Sequence, residues 1–215
     1  MPRVRLPARS ALLLIDVVNP FDFATGDRLL RRALTAAPKI RALKRRASRA
    51  GIPAIYVNDN YGDWHADFAE LVSRCAGRAA RGRRFVEQVA PGPDDYYVLK
   101  PLHSGFHSTS LDVLLEKLDV ETVVLVGVAA HICVFFTAMD AYMRGLEVVV
   151  PRDCVVSADA RQTRRAIEQM EDAIKARVVR SDTVAFARAP RRARSPRRRS
   201  RVPGAASAQV QPRRA

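Results

Sequence analysis

The chain has 215 residues, 48% of them hydrophobic and 27% charged, with a net charge of +15. That length suits one well-buried domain, and no apolar run approaches the roughly 18–20 residues that a membrane span needs. Three cysteines, Cys75, Cys133 and Cys154, make neither an even framework nor a CxxC pair; this argues against a disulfide scaffold or a zinc ribbon and fits a reducing compartment.

The N-terminal stretch MPRVRLPARSALLLIDVV faintly imitates a signal peptide. Its apolar part is short, ends in Asp16 and lacks a small-residue cleavage site, so it reads as the first core strand of a cytoplasmic protein. In chain order, ALLLID (11–16) is that strand. Residues 28–51 follow with Leu29, Leu30, Ala33, Leu34, Ile40 and Leu43 near helical spacing and Gly51 as the end signal. Pro38 is expected to break or kink this helix, or to start a second one at its first turn. PAIYVND (53–59) is the second strand, 66–76 a helix, DYYVLK (95–100) the third strand and 109–118 a helix capped by Thr109 or Ser110. TVVLVGV (122–128) is the fourth strand, CVFFTAMDAYMRG (133–145) the next helix and LEVVVP (146–151) the fifth strand. Residues 158–174 form the last helix and ARVV (176–179) a short sixth strand.

Apolar strands alternating with helices predict an α/β fold with a mostly parallel six-stranded sheet covered on both faces, a Rossmann-like three-layer sandwich. Residues 1–187 are expected to form this domain. From Arg188 onward there are ten arginines (188, 191, 192, 194, 197, 198, 199, 201, 213, 214) and no acid, so ten of the fifteen net positive charges belong to a tail. Residues 188–215 hold almost no large apolar side chain and are expected to be disordered. Nucleic-acid binding by this tail is not expected, because no aromatic residue is interleaved for base stacking.

In a doubly wound sheet, ligands lie beyond the carboxyl ends of the strands. Asp16 ends the first strand, Lys100 ends the third, and Cys133 follows the fourth. A cysteine attacks as its thiolate, which a helix N-terminus and a neighbouring ammonium favour. Asp16 can take the thiol proton and pass it to a leaving amine. Backbone N–H groups in the turn before Cys133 can hold an oxyanion. Such a set suits acyl transfer from an amide or a related C–N bond through a thioester. The bland alternatives are a small buried cysteine beside Phe135 and Phe136, and a solvated lysine.

Three blocks in order, LLLIDVVNPFDF, VLKPLHSGF and GVAAHICVFFTAMDAYMRG, resemble the isochorismatase-like cysteine hydrolases, which include nicotinamidases and N-carbamoyl amidases. The similarity runs from about Ala11 to Val179. It implies a catalytic triad of Asp16, Lys100 and Cys133, and a cis peptide at Val128–Ala129 that aims the backbone N–H groups of Ala129 and Cys133 at the oxyanion. It also implies a small-molecule substrate and a dimer or tetramer. The chain departs from the family at Ala130, often threonine or serine, and at His131, often an acid or asparagine. Loss of the Ala130 hydroxyl is expected to loosen the loop or widen the pocket. Nicotinamidases carry a metal-binding Asp-x-His after the second strand, whereas here Asp59 is followed by Asn60 and Tyr61 and His65 stands alone. No metal and no cofactor is therefore expected. Phe21, Phe23, Tyr61, Trp64, His103 and Phe136 are candidates for the substrate pocket. A catalytically silent binding protein of the same fold, or a hydrolase of a non-amide substrate, remains the alternative.

Overall fold

A computed structural model of the chain describes residues 3–65 and 67–188. The expected tail lies, from Ala189 on, outside the described residues. The elements in order are β1 (Val4–Leu6), β2 (Ser10–Ile15), α1 (Gly26–Arg49), β3 (Ala54–Asp59), α2 (Phe68–Ala76), α3 (Arg83–Val89) and β4 (Tyr96–Lys100). Then follow α4 (Leu111–Lys117), β5 (Thr122–Val128), a π-helical segment (Ala130–Val134), α5 (Phe135–Met143), β6 (Glu147–Pro151), β7 (Val155–Val156), α6 (Ala160–Ile174), β8 (Arg177–Val179) and β9 (Val184–Phe186).

Strands β4-β3-β2-β5-β6-β8 lie side by side in that order, all parallel, and β7 pairs with the end of β5. Counted in chain order along this path, the sequence of strands is third, second, first, fourth, fifth, sixth. The order therefore reverses between β2 and β5, and a crevice opens at such a point. Alternation along β2 splits the core. Leu12 and Leu14 pack with α1, α2 and α3, while Ala11, Leu13 and Ile15 pack with α4, α5 and α6. Both faces are covered, which is why the central strands β2 and β5 are buried throughout.

Pro38 does not break its helix. Helix α1 runs unbroken through it, with Pro38 on the exposed side and Ala36, Ala37, Ile40 and Leu43 buried on either side. A proline removes one N–H from the ladder, but the long buried face holds the helix together. Gly51, at φ 75°, ends it in the left-handed conformation that glycine adopts without strain. Strands β1 and β9 form a separate parallel pair (Val4 beside Val184) that three-residue runs do not announce. Helix α3 is equally silent in sequence, because ARGRRFVEQVA shows only one turn of apolar spacing around Phe85, Val86 and Val89.

Candidate active site

Four of the parallel strands deliver chemistry to one end of the sheet. Asp16 follows β2 directly in a left-handed conformation (φ 48°), which aspartate tolerates better than most residues. Asp59 closes β3 and Lys100 closes β4, one opposite the other in register. Cys133 sits in the π-helical segment after β5. The Lys100 side chain is fully buried, and its Nζ lies 3.0 Å from Asp16 Oδ2 and 3.3 Å from Asp59 Oδ2. The same nitrogen lies 3.1 Å from the Leu102 carbonyl and 3.6 Å from Cys133 Sγ. Asp16 is fixed in turn: its Oδ1 accepts the Asp59 backbone N–H at 2.6 Å, and it accepts a hydrogen bond from the Cys133 thiol.

Burial dominates the electrostatics. It raises the Asp16 carboxyl above its usual range, against the lowering pull of Lys100 and the hydrogen bonds from Cys133 and Lys100. Burial disfavours the Lys100 ammonium, but Asp16, Cys133 and Asp59 together outweigh it and the lysine is held charged. The Cys133 thiol is pushed up, first by burial and then by the Asp16 charge, with Lys100 opposing. This corrects the expectation that a helix N-terminus and Lys100 lower the thiol pKa overall. The environment thus favours the protonated sulfur, which donates its hydrogen bond to Asp16.

The nucleophile segment also differs from a plain helix start. The Val134 N–H reaches the Ala129 carbonyl at 3.2 Å, one residue beyond α-helical spacing, and the peptide between Val128 and Ala129 is cis. Such π segments occur mostly as single turns at functional sites. The segment is braced from the loop after β4. The Thr137 hydroxyl donates to the Cys133 carbonyl at 2.7 Å and accepts the Gly105 N–H at 2.9 Å. The Ser104 hydroxyl donates to Asp140 at 2.5 Å. The Ser-Gly-Phe and Thr-Ala-Met-Asp blocks are thus two halves of one clamp. Gly105 is forced: a Cβ there would stand 2.6 Å from Val57 Cγ1. Ala130 is fully buried among Val134 and Ala138, so its missing hydroxyl does not widen the cavity.

Asp16 and Cys133 line a cavity of about 410 Å³ together with Ala129, Val128, Ile132, His131 and Asp59. Phe23, Tyr61 and His103 line it as well. Three other candidates lie elsewhere. Phe21 is completely buried and packs edge-on against Phe85, with ring centres 5.6 Å apart. Trp64 is 76% exposed and lines no part of the cavity. Phe136 stacks on His103 at 5.6 Å and supports it from outside. An aromatic residue, whether in a loop like Phe21 and Trp64 or on a helix like Phe136, carries no sequence mark that tells wall from core. Asn19, Thr25, Leu29, Ala158 and Gln162 complete the lining and were missed. They come from the loop after β2, the first turns of α1 and the start of α6, which only the fold brings together. Asp59 was legible by the rule that found Asp16, an acid at a strand end. Among the described residues, no group of three or more His, Cys, Asp or Glu side chains could hold a metal ion. No helix among them is long and apolar enough to cross a membrane.

The Isochorismatase domain profile matches residues 10–183. The chain is 36% identical over 177 residues to the uncharacterized isochorismatase family protein YaaI of Bacillus subtilis (strain 168), covering 82% of this chain and 97% of that one. It is 26% identical over 185 residues to the ureidoacrylate amidohydrolase RutB of Methylobacterium radiotolerans, covering 74% and 72% respectively. The solved structure of N-carbamoylsarcosine amidase from Thermoplasma acidophilum superposes with a TM-score of 0.62 at 30% identity, covering 80% of this chain and 96% of that chain.

Proposed function

The chain belongs to the isochorismatase family and is a hydrolase, and from that premise we propose that it cleaves the C–N bond of a small amide, ureide or carbamoyl compound, with Cys133 as the nucleophile. The observation that carries this reading is the placement of one buried ammonium, Lys100 Nζ, 3.0 Å from Asp16 and 3.6 Å from Cys133 Sγ beside an open cavity.

In this mechanism the Cys133 thiol gives its proton to Asp16 as the sulfur attacks the carbonyl carbon. Lys100 offsets the negative charge as it moves between the two groups, in a site where low dielectric strengthens the interaction. The tetrahedral oxyanion is held by the backbone N–H groups of Ala129 and Cys133. Asp16 returns the proton to the leaving nitrogen, the C–N bond breaks and a thioester remains. Water, losing a proton to Asp16, then cleaves the thioester, and the proton passes back to the sulfur. The net change is amide plus water to acid plus amine.

Ammonia release from a panel of small amides, ureides and carbamoyl compounds tests the reading. Turnover is expected to drop at least about 1,000-fold in Cys133→Ala, the scale of loss when a nucleophile is removed, and to be unchanged by a chelator. Turnover that survives the substitution overturns it.

A further inference from the structure

The charges and donors of the cavity bear on which substrate it takes, an inference that rests on the cysteine-hydrolase reading above. Among the described residues, its lining holds two carboxylates, Asp16 and Asp59, and no arginine or lysine. Lys100 beneath is fully buried and already shared among Asp16, Asp59 and the Leu102 carbonyl. Arg28 is next to Leu29 in the chain, yet it faces Asp159 at 3.9 Å and does not line the cavity. A substrate carboxylate would therefore enter a space with like charge and no cationic partner, a penalised juxtaposition.

The neutral donors are better defined. Ser157 is completely buried, and its Oγ accepts the His131 backbone N–H at 3.3 Å and lies 2.7 Å from His131 Nδ1. The oxygen could accept a second bond, but the buried hydroxyl hydrogen would then lack an acceptor, and among the described residues Nδ1 is the one within reach, so the hydrogen goes to Nδ1. That pairing assigns the ring proton to Nε2. Burial also lowers the pKa of His131 and keeps the ring uncharged. His131 lines the cavity two residues before Cys133, so it brings a neutral N–H donor to the substrate. Gln162 on α6 lines the same cavity and adds a second uncharged polar group.

We infer that the site selects an uncharged small amide or ureide over its carboxylated counterparts, and that His131 is a specificity residue donating from Nε2 to an acceptor on that substrate. Two size-matched reagents of different charge test this without presuming turnover. Iodoacetamide and iodoacetate differ only in the neutral amide and the carboxylate. Cys133 is the one partly exposed cysteine, since Cys75 and Cys154 are buried, so peptide mass spectrometry can follow it alone. The ratio of the two alkylation rates at Cys133, relative to the same ratio for free cysteine, is expected to favour the amide by about 100-fold. Gln162→Arg is expected to shrink that preference at least about tenfold by supplying the missing cation. A ratio equal to that of free cysteine overturns the inference.

Steady-state ammonia release from matched pairs, ethylurea against N-carbamoylglycine and butyramide against succinamic acid, separates the two levels of the argument. Preference for the neutral member, lost in Cys133→Ala, supports both. Cys133-dependent preference for the carboxylated member overturns the substrate class and leaves the hydrolase reading standing. Turnover that persists in Cys133→Ala overturns the hydrolase reading, and the alkylation ratio then decides the cavity's charge preference alone. His131→Phe is expected to raise KM for ethylurea about tenfold or more with a smaller change in kcat; an unchanged KM overturns the donor role.

Discussion

Asp16 has two opposed demands. In the proposed mechanism it must be ionised to receive the thiol proton, yet burial raises its pKa above the ordinary 3.8 while Lys100 and the Cys133 hydrogen bond pull it down. Protonated Asp16 cannot accept. Activity is therefore lost as pH falls through this raised value, and the acid limb of kcat/KM lies at higher pH than an ordinary aspartate would set. Asp16→Asn removes the acceptor and keeps the shape; a loss of about 10²–10⁴-fold is expected, read from pH-dependent initial rates. An acid limb at or below the ordinary aspartate range would contradict this role. The sequence shows Asp16, Lys100 and Cys133 because each stands at the carboxyl end of a strand, where a parallel sheet binds ligands. It does not show the protonation state of Cys133, which depends on burial by residues far along the chain. Nor does it show the Ser157 partner of His131, which lies 26 residues away.

At the scale of elements, the π-helical segment depends on the loop after β4. Thr137 joins them through two hydrogen bonds at once, to Gly105 and to Cys133. Thr137→Val keeps the volume but leaves the buried Gly105 N–H without its partner, a destabilisation of about 1–3 kcal/mol. Urea denaturation should show a lower midpoint with an unchanged slope, and kcat should fall along with it. Thr137→Ser keeps the hydroxyl and should retain most of the activity. Equal activity in both variants would mean that the clamp does not position Cys133. The alternation of strands and helices made the sheet legible, since apolar runs of strand length between helical patterns leave few other arrangements. Pro38 misled because a local helix-breaking rule competes with a buried face supplied by the whole fold. The β1–β9 pair is invisible for a related reason: each strand is three residues long and is defined by its partner about 180 positions away.

The whole molecule carries a pH signature in its cysteines. Burial raises Cys75 to about 11, and burial with the Asp153 charge raises Cys154 to about 12, both from an ordinary 9.0. Cys133 is also raised. The native state thus keeps protons that the unfolded chain gives up. The stability this contributes is fully present below pH 9 and is lost as pH rises toward the native values, by up to about 1.4 kcal/mol per pH unit for each thiol. The melting temperature should fall between pH 9 and 11. The double variant Cys75→Ala, Cys154→Ala should be less stable at pH 7 yet fall less over that interval, by differential scanning calorimetry. Parallel slopes in the two proteins would contradict the assignment.

The central claim is that Cys133 forms a covalent acyl intermediate. Rapid acid quench during turnover of a small neutral ureide or amide, followed by peptide mass spectrometry, tests it most directly. The account predicts an acyl adduct on the Cys133 peptide that appears with the first released amine and decays as substrate is exhausted. Full turnover with no adduct on Cys133 at any time, together with undiminished turnover in Cys133→Ala, would contradict it.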